Sequence, residues 1–179
     1  MEKEVLQMFL PSFLLIFIGI TFFWKWFRKF IRVKEYIDIE KTTNYHRLKR
    51  INFLFFIFFI VFVIMTFIYC ALPNHYYIFI PLDKFDHPLI NSVGVLLLKV
   101  ALIWMIVAQL YIDKELYKYS RDSGNLSLME LVYFSEKMFL GGLTVMFVGM
   151  FITITNVIGI VSGLISVFFY YNLVFRFKT

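Results

Sequence analysis

Long apolar runs alternate with short polar segments along the whole chain. Five runs, at residues 8–27, 51–72, 89–112, 138–155 and 157–175, are each about twenty residues long. An α-helix needs roughly that length to cross the ~30 Å hydrocarbon core of a bilayer. The pattern predicts an all-α polytopic membrane protein with five transmembrane helices. The only break between the fourth and fifth runs is the short polar stretch TITN, ending at Asn156. So short a turn predicts a tight antiparallel helical hairpin at the C-terminal end.

After the first run comes WKWFRKFIRVKEY. Trp26, Phe30, Val33 and Ile37 recur there at helical spacing, with Lys25, Arg28, Lys29 and Arg32 mostly off that stripe. This predicts an amphipathic extension of the first helix lying in the headgroup layer, with Trp24 and Trp26 in the interfacial aromatic belt. The first run itself is expected to stay as a span. Glu2 and Glu4 precede it instead of a basic region, and no small-residue cleavage site follows.

Composition agrees with this reading. Hydrophobic residues make up 61% of the 179 positions, and the mean hydropathy is +0.78. A soluble chain of this size would need far more polar surface to cover its core. The length fits one domain, so residues 1–179 are read as a single transmembrane unit. Charge then supplies orientation. All but three (Lys3, Lys84 and Lys99) of the 18 Lys and Arg residues fall in segments 25–50, 113–137 and 176–178. Five spans put those three segments on one side, and the positive-inside rule makes that side cytoplasmic. The N-terminus is then outside, the C-terminus cytoplasmic, and the expected location is a bacterial inner membrane. The net charge of +6 is explained by topology, so a nucleic-acid partner is not expected.

Candidate chemistry is sparse. Cys70 is the single cysteine, can form no intrachain disulfide and is read as a small core or lipid-facing residue. His75, Asp83, Asp86 and His87 share the loop between the second and third runs. Their spacing matches no recognised metal site, so a solvated loop is expected and no metal is assigned. Lys99 is the one ionisable residue in mid-span, about 15 Å into the third helix. A lysine at that depth costs roughly 2.5–3.5 kcal/mol on insertion scales unless paired or hydrated. No Asp or Glu lies in the core of a predicted span. Lys99 therefore either snorkels toward Asp83 or Asp86, faces a hydrated cavity or ligand, or lines the axis of an oligomer. It is the candidate intramembrane functional residue. Gly159 and Gly163 form a GxxxG pair in the fifth helix, with Ser162 and Ser166 beside them and Gly141, Gly142 and Gly149 in the fourth. Small residues let helix backbones approach closely, so these positions predict packing within the hairpin, with self-association as the alternative.

Taken in order, FFWKWFRKFIRVKE, FDHPLINSVGVLLLKVALIWMIVAQ (ending in Ala108 and Gln109) and YFSEKMFLGGLTVMFVGMFITITN resemble successive helices of the bacterial isoprenylcysteine carboxyl methyltransferase family of membrane enzymes. The resemblance implies a methyltransferase-like scaffold, and S-adenosylmethionine as cofactor if the activity survives. The family's active elements are missing. After Ala-Gln, LYIDKELYKYSRD has neither the Gly nor the Trp of the family pattern. Glu136, Lys137 and Met138 stand where the family has Arg-His-Pro or Arg-Asn-Pro, the element that holds the cofactor. Arg176 and Lys178 stand where the family's last helix ends in acidic residues. Both changes invert charge opposite an ion of the cofactor, and losing the proline alters the helix entry.

The expectation is a non-catalytic pseudoenzyme with no cofactor and no catalytic residue, acting through partner binding or membrane permeability. Its partners would be the lipid bilayer, a protein docked on segments 25–50 and 113–137 at the cytoplasmic face, and in the alternative a second copy of itself. Small multi-span proteins of this build accompany bacterial antiviral loci, including type VI CRISPR loci, so antiviral defence is the expected setting. Two alternatives stand beside it: a divergent S-adenosylmethionine-dependent methyltransferase of a lipid-soluble substrate, and a channel or transporter subunit with Lys99 on the path.

Overall fold

The computed structural model describes residues 3–28, 43–120 and 128–176. Helix α1 spans Lys3–Arg28, α2 Thr43–Ala71, α3 Pro88–Ser120, α4 Leu128–Thr153 and α5 Val157–Arg176. Two 3₁₀ turns, Pro73–Phe79 and Asp83–Phe85, lie between α2 and α3. Each α-helix contains a stretch long and apolar enough to cross a membrane. The protein is an all-α polytopic membrane protein with five spans and a C-terminal hairpin. The amphipathic extension beyond Arg28 lies outside the described residues.

Helix boundaries depart from the apolar runs in an instructive way. Segment 113–137, read as a basic loop, is largely helical: α3 continues to Ser120 and α4 starts at Leu128. Lys114, Glu115 and Lys118 are good helix formers, and Lys118 Nζ pairs with Glu115 Oε1 at 2.6 Å one turn away. Hydropathy marks where lipid ends, whereas a helix ends where its backbone loses its hydrogen bonds. For the same reason α1 begins at Lys3 and not near residue 8, with Glu4 in its first turn, where a negative charge suits the helix dipole.

Every span carries apolar side chains on two faces. The inner face of α3 runs through Leu98, Ala101, Met105, Ala108 and Ile112, all buried, at the spacing of a packed seam. Its other face exposes Leu96, Val100, Ile103, Val107 and Leu110. In water such a surface would be untenable; in a bilayer it is the lipid contact. Helix α4 is central, packed against α2, α3 and α5. Its Phe147 stacks on Phe62 at 5.0 Å between ring centroids and contacts Phe55 and Phe58. These rings fill the middle of the bundle.

Glycine sets the α3–α4 distance. A Cβ at Gly94 would stand 2.5 Å from the Thr153 backbone nitrogen, one at Gly149 3.1 Å from Leu98, and one at Gly142 2.6 Å from Met105 Sδ. The pairs 94/153, 98/149 and 105/142 keep one antiparallel register: as one index rises by four or seven, the other falls by as much. Trp104 Nε1 closes the seam by donating to the Met138 carbonyl at 3.0 Å. Gly142 and Gly149 thus pack α4 against α3, outside the hairpin. Gly141 meets both Tyr170 of α5 and Trp104 of α3.

Candidate functional site

Lys99 is exposed on the outer face of α3, on the same side as Leu96, Val100 and Ile103. Among the described residues no carboxylate forms an ion pair with it, Asp83 and Asp86 included. The α3–α4 register sets Lys99 level with Val148. Glu136, which the longer α4 brings inside its candidate span, is then about 18 Å away along the axis. The ammonium faces lipid, turned away from the bundle interior.

Glu136, Lys137 and Met138 do not form a helix entry. They lie within α4, which begins at Leu128, and all three are half-buried. Their backbone N–H groups belong to a continuous helix, and the Met138 carbonyl also accepts the Trp104 indole. An entry pocket for a cofactor carboxylate needs free amide donors or a cation. Within the helix these residues offer no free amide, and the charged side chains there are Glu136 and Lys137. Arg176 ends α5; Phe177, Lys178 and Thr179 lie outside the described residues.

At the opposite end of the bundle from the basic segments, polar side chains converge on Asn156, which is 0% exposed. The Asn156 Oδ1 accepts the Gly159 N–H at 2.6 Å, the geometry of an N-cap. It thereby starts α5 just after α4 ends. Asn156 Nδ2 donates to the Ile154 carbonyl at 2.7 Å and to the Tyr76 hydroxyl at 2.8 Å, with Met65 Sδ at 3.0 Å. The Tyr76 hydroxyl in turn donates to the Ile154 carbonyl at 3.3 Å. Burial raises the Tyr76 phenol pKa, the Asn156 hydrogen bond lowers it, and the net is upward. Tyr76 therefore stays a neutral hydroxyl at physiological pH.

The same turn is stitched to the segment between α2 and α3. Leu82 N donates to the Thr155 carbonyl and Val157 N to the Ile80 carbonyl, both at 3.1 Å, forming an antiparallel bridge between Pro81 and Asn156. To make it, Ile80 adopts the left-handed conformation at φ 55°, a strained choice for a β-branched residue. Read as a solvated loop, this segment is partly integrated into the fold. His87 is engaged locally: its Nδ1 accepts the Leu89 N–H at 3.3 Å at the start of α3. His75 is exposed. Among the described residues no group of three His, Cys, Asp or Glu side chains gathers to hold a metal.

The GxxxG pair divides. A Cβ at Gly159 would meet Asn156 and, at 3.4 Å, Phe151 of α4, whereas no atom lies within 4 Å of one at Gly163. Nothing in the sequence singled out Gly94, Tyr76 or Ile80. The partners that give them meaning are Thr153, Asn156 and Val157, between 59 and 80 positions away in the chain. No protein-family model, curated protein or solved structure matches the chain.

Proposed function

We propose that this chain is a non-catalytic integral membrane protein of the bacterial inner membrane that acts by binding a partner inside the bilayer at the Lys99 face of α3. The observation that carries the reading is the direction of Lys99. A lone ammonium facing lipid within a span is costly, and among the described residues no carboxylate pairs with it. A partner helix bringing an Asp or Glu to the same depth would remove the penalty and confer specificity by charge. The basic segments then lie on the cytoplasmic face, with the N-terminus outside. Their docking role concerns segments that fall partly outside the described residues.

The test is a photo-crosslinking amino acid at Ile103 in native membranes, with Lys99 and with Lys99→Met. A discrete adduct lost in Lys99→Met, and restored when Lys99→Glu is paired with a partner carboxylate changed to lysine, is the expected result. An adduct pattern indifferent to residue 99 overturns the reading. Orientation is tested by cysteine labelling in a Cys70→Ser background, where labelling from outside at Arg47 would refute it.

One observation bears on the permeability alternative. Phe55, Phe62 and Phe147 fill the bundle centre, so any conducting path would run between copies, with α3 faces turned inward. Blue-native gels and liposome conductance separate that case from a one-to-one partner. For the methyltransferase alternative, calorimetry with S-adenosylmethionine is expected to show no binding, and a dissociation constant of about 1 μM would reinstate it.

A further inference from the structure

The non-basic end holds a cavity of about 280 Å³ between the Pro73–Phe79 turn and the α4–α5 turn. Three tyrosines (Tyr69, Tyr76 and Tyr77) and two carboxylates (Asp83 and Asp86) line it, with Ile154 and Thr155 at its back. Tyr69 and Tyr76 are set edge to face at 5.1 Å, and the bond from Tyr76 to Asn156 keeps its ring in place. Tyr77 is 69% exposed and forms part of the cavity wall. Asp86 is oriented from behind: Asn91 Nδ2 donates to its Oδ1 at 2.8 Å. Asn91 is 4% exposed, and its own Oδ1 has no partner. The amide therefore spends its donor on aiming Asp86 while its acceptor goes unmatched.

The charge of this cavity runs against the rest of the chain. The protein carries +6, yet neither Asp83 nor Asp86 forms an ion pair among the described residues, and the adjacent Lys84 pairs with neither. Tyrosine faces attract cations through their quadrupole, most strongly when water is excluded. Carboxylates add the full negative charge. A bare metal ion would want a ring of oxygens, whereas rings beside two acids suit a cation with an apolar skin. The volume lies just below the ordinary range for ligand sites, which suits a small ion.

We infer that this cavity is a binding site for a small alkylammonium ion, taken either as a free amine or as the headgroup of a lipid at the same interface. The inference stands independently of the partner reading for Lys99, because no residue of the cavity lies on the Lys99 face of α3.

The experiment uses the full chain in maltoside micelles, which contain no ammonium groups. Choline and its neutral isostere 3,3-dimethyl-1-butanol are titrated by calorimetry. Choline is expected to bind saturably with a dissociation constant of about 1 mM or tighter, and the isostere not to bind. Asp83→Asn and Tyr77→Leu alter exposed side chains and should leave the melting temperature unchanged while each weakens binding about tenfold. The lipid arm reads native mass spectra after extraction from mixed phosphatidylcholine and phosphatidylglycerol vesicles. Selective retention of phosphatidylcholine that Asp83→Asn abolishes, without binding of free choline, assigns the ammonium to a headgroup. Equal binding of choline and isostere, indifference to both variants, or no selectivity in either arm overturns the inference.

Discussion

Asn156 and Lys99 both bring a strongly polar group into a chain built of apolar helices, and the fold treats them in opposite ways. Asn156 is fully buried, and its donors and acceptor are engaged by Ile154, Tyr76 and the Gly159 N–H. Lys99 is exposed on a lipid-facing surface, and among the described residues no carboxylate pairs with it. A polar group whose bonds close within the chain is part of the fold's own stability. One left open where water is scarce is a cost to the isolated molecule, and a second molecule can relieve it. The first kind should be intolerant of change in any assay of folding, the second only in an assay of function.

Asn156→Leu gives the largest expected effect. It removes the cap of α5 and leaves the Tyr76 hydroxyl and the Ile154 carbonyl short of a buried donor. A loss of about 3–5 kcal/mol is expected, read as a lower denaturation midpoint in detergent. A change under about 1 kcal/mol would erase the contrast with Lys99.

Gly94→Val should follow, at about 2–3 kcal/mol, because its side chain would overlap the Thr153 backbone. A matched Gly163→Val has open space beside it and should be near neutral. This pair sharpens the comparison by separating glycines that set a helix distance from one that does not. Ile80→Gly should stabilise by about 1 kcal/mol, since it relieves a left-handed β-branched residue whose side chain is exposed. A loss of stability would show that the Ile80 side chain contributes more than its backbone strain costs.

Lys99→Met should not lower stability in detergent, since it removes an unpaired charge from an apolar face, and should abolish function in a cellular assay. A variant as stable and as active as the parent would reduce Lys99 to a snorkelling side chain.

The contrast between the α3–α4 seam and the α4–α5 hairpin marks how far the sequence could be read. The hairpin was legible: two apolar runs with Asn156 between them leave the chain no other route, and an asparagine before a helix is a local signal. The seam was not. Gly142 and Gly149 read as hairpin glycines because α5 is their neighbour in sequence, but their contacts are Met105 and Leu98 of α3. The cavity was not legible: its acids read only as part of a solvated loop or as partners for Lys99. Its acids, Tyr76 and Tyr77 stand in one segment, but Tyr69 comes from α2, and Ile154 and Thr155 come from the α4–α5 turn.

From the sequence alone follow the number of spans, the helical class, the hairpin turn and the sidedness of charge. Each rests on the composition of a contiguous stretch, which the cost of exposing polar backbone to lipid translates directly into structure. Only the tertiary structure decided which way each helix faces. In a soluble protein the polar stripe of a helix marks its outside; here lipid and core are both apolar, so that signal is missing. Whether Lys99 points inward or outward, and whether Tyr76 meets Asn156, depended on how the helices rotate against one another. That rotation is set by the fit of Gly94 on Thr153 and Gly149 on Leu98.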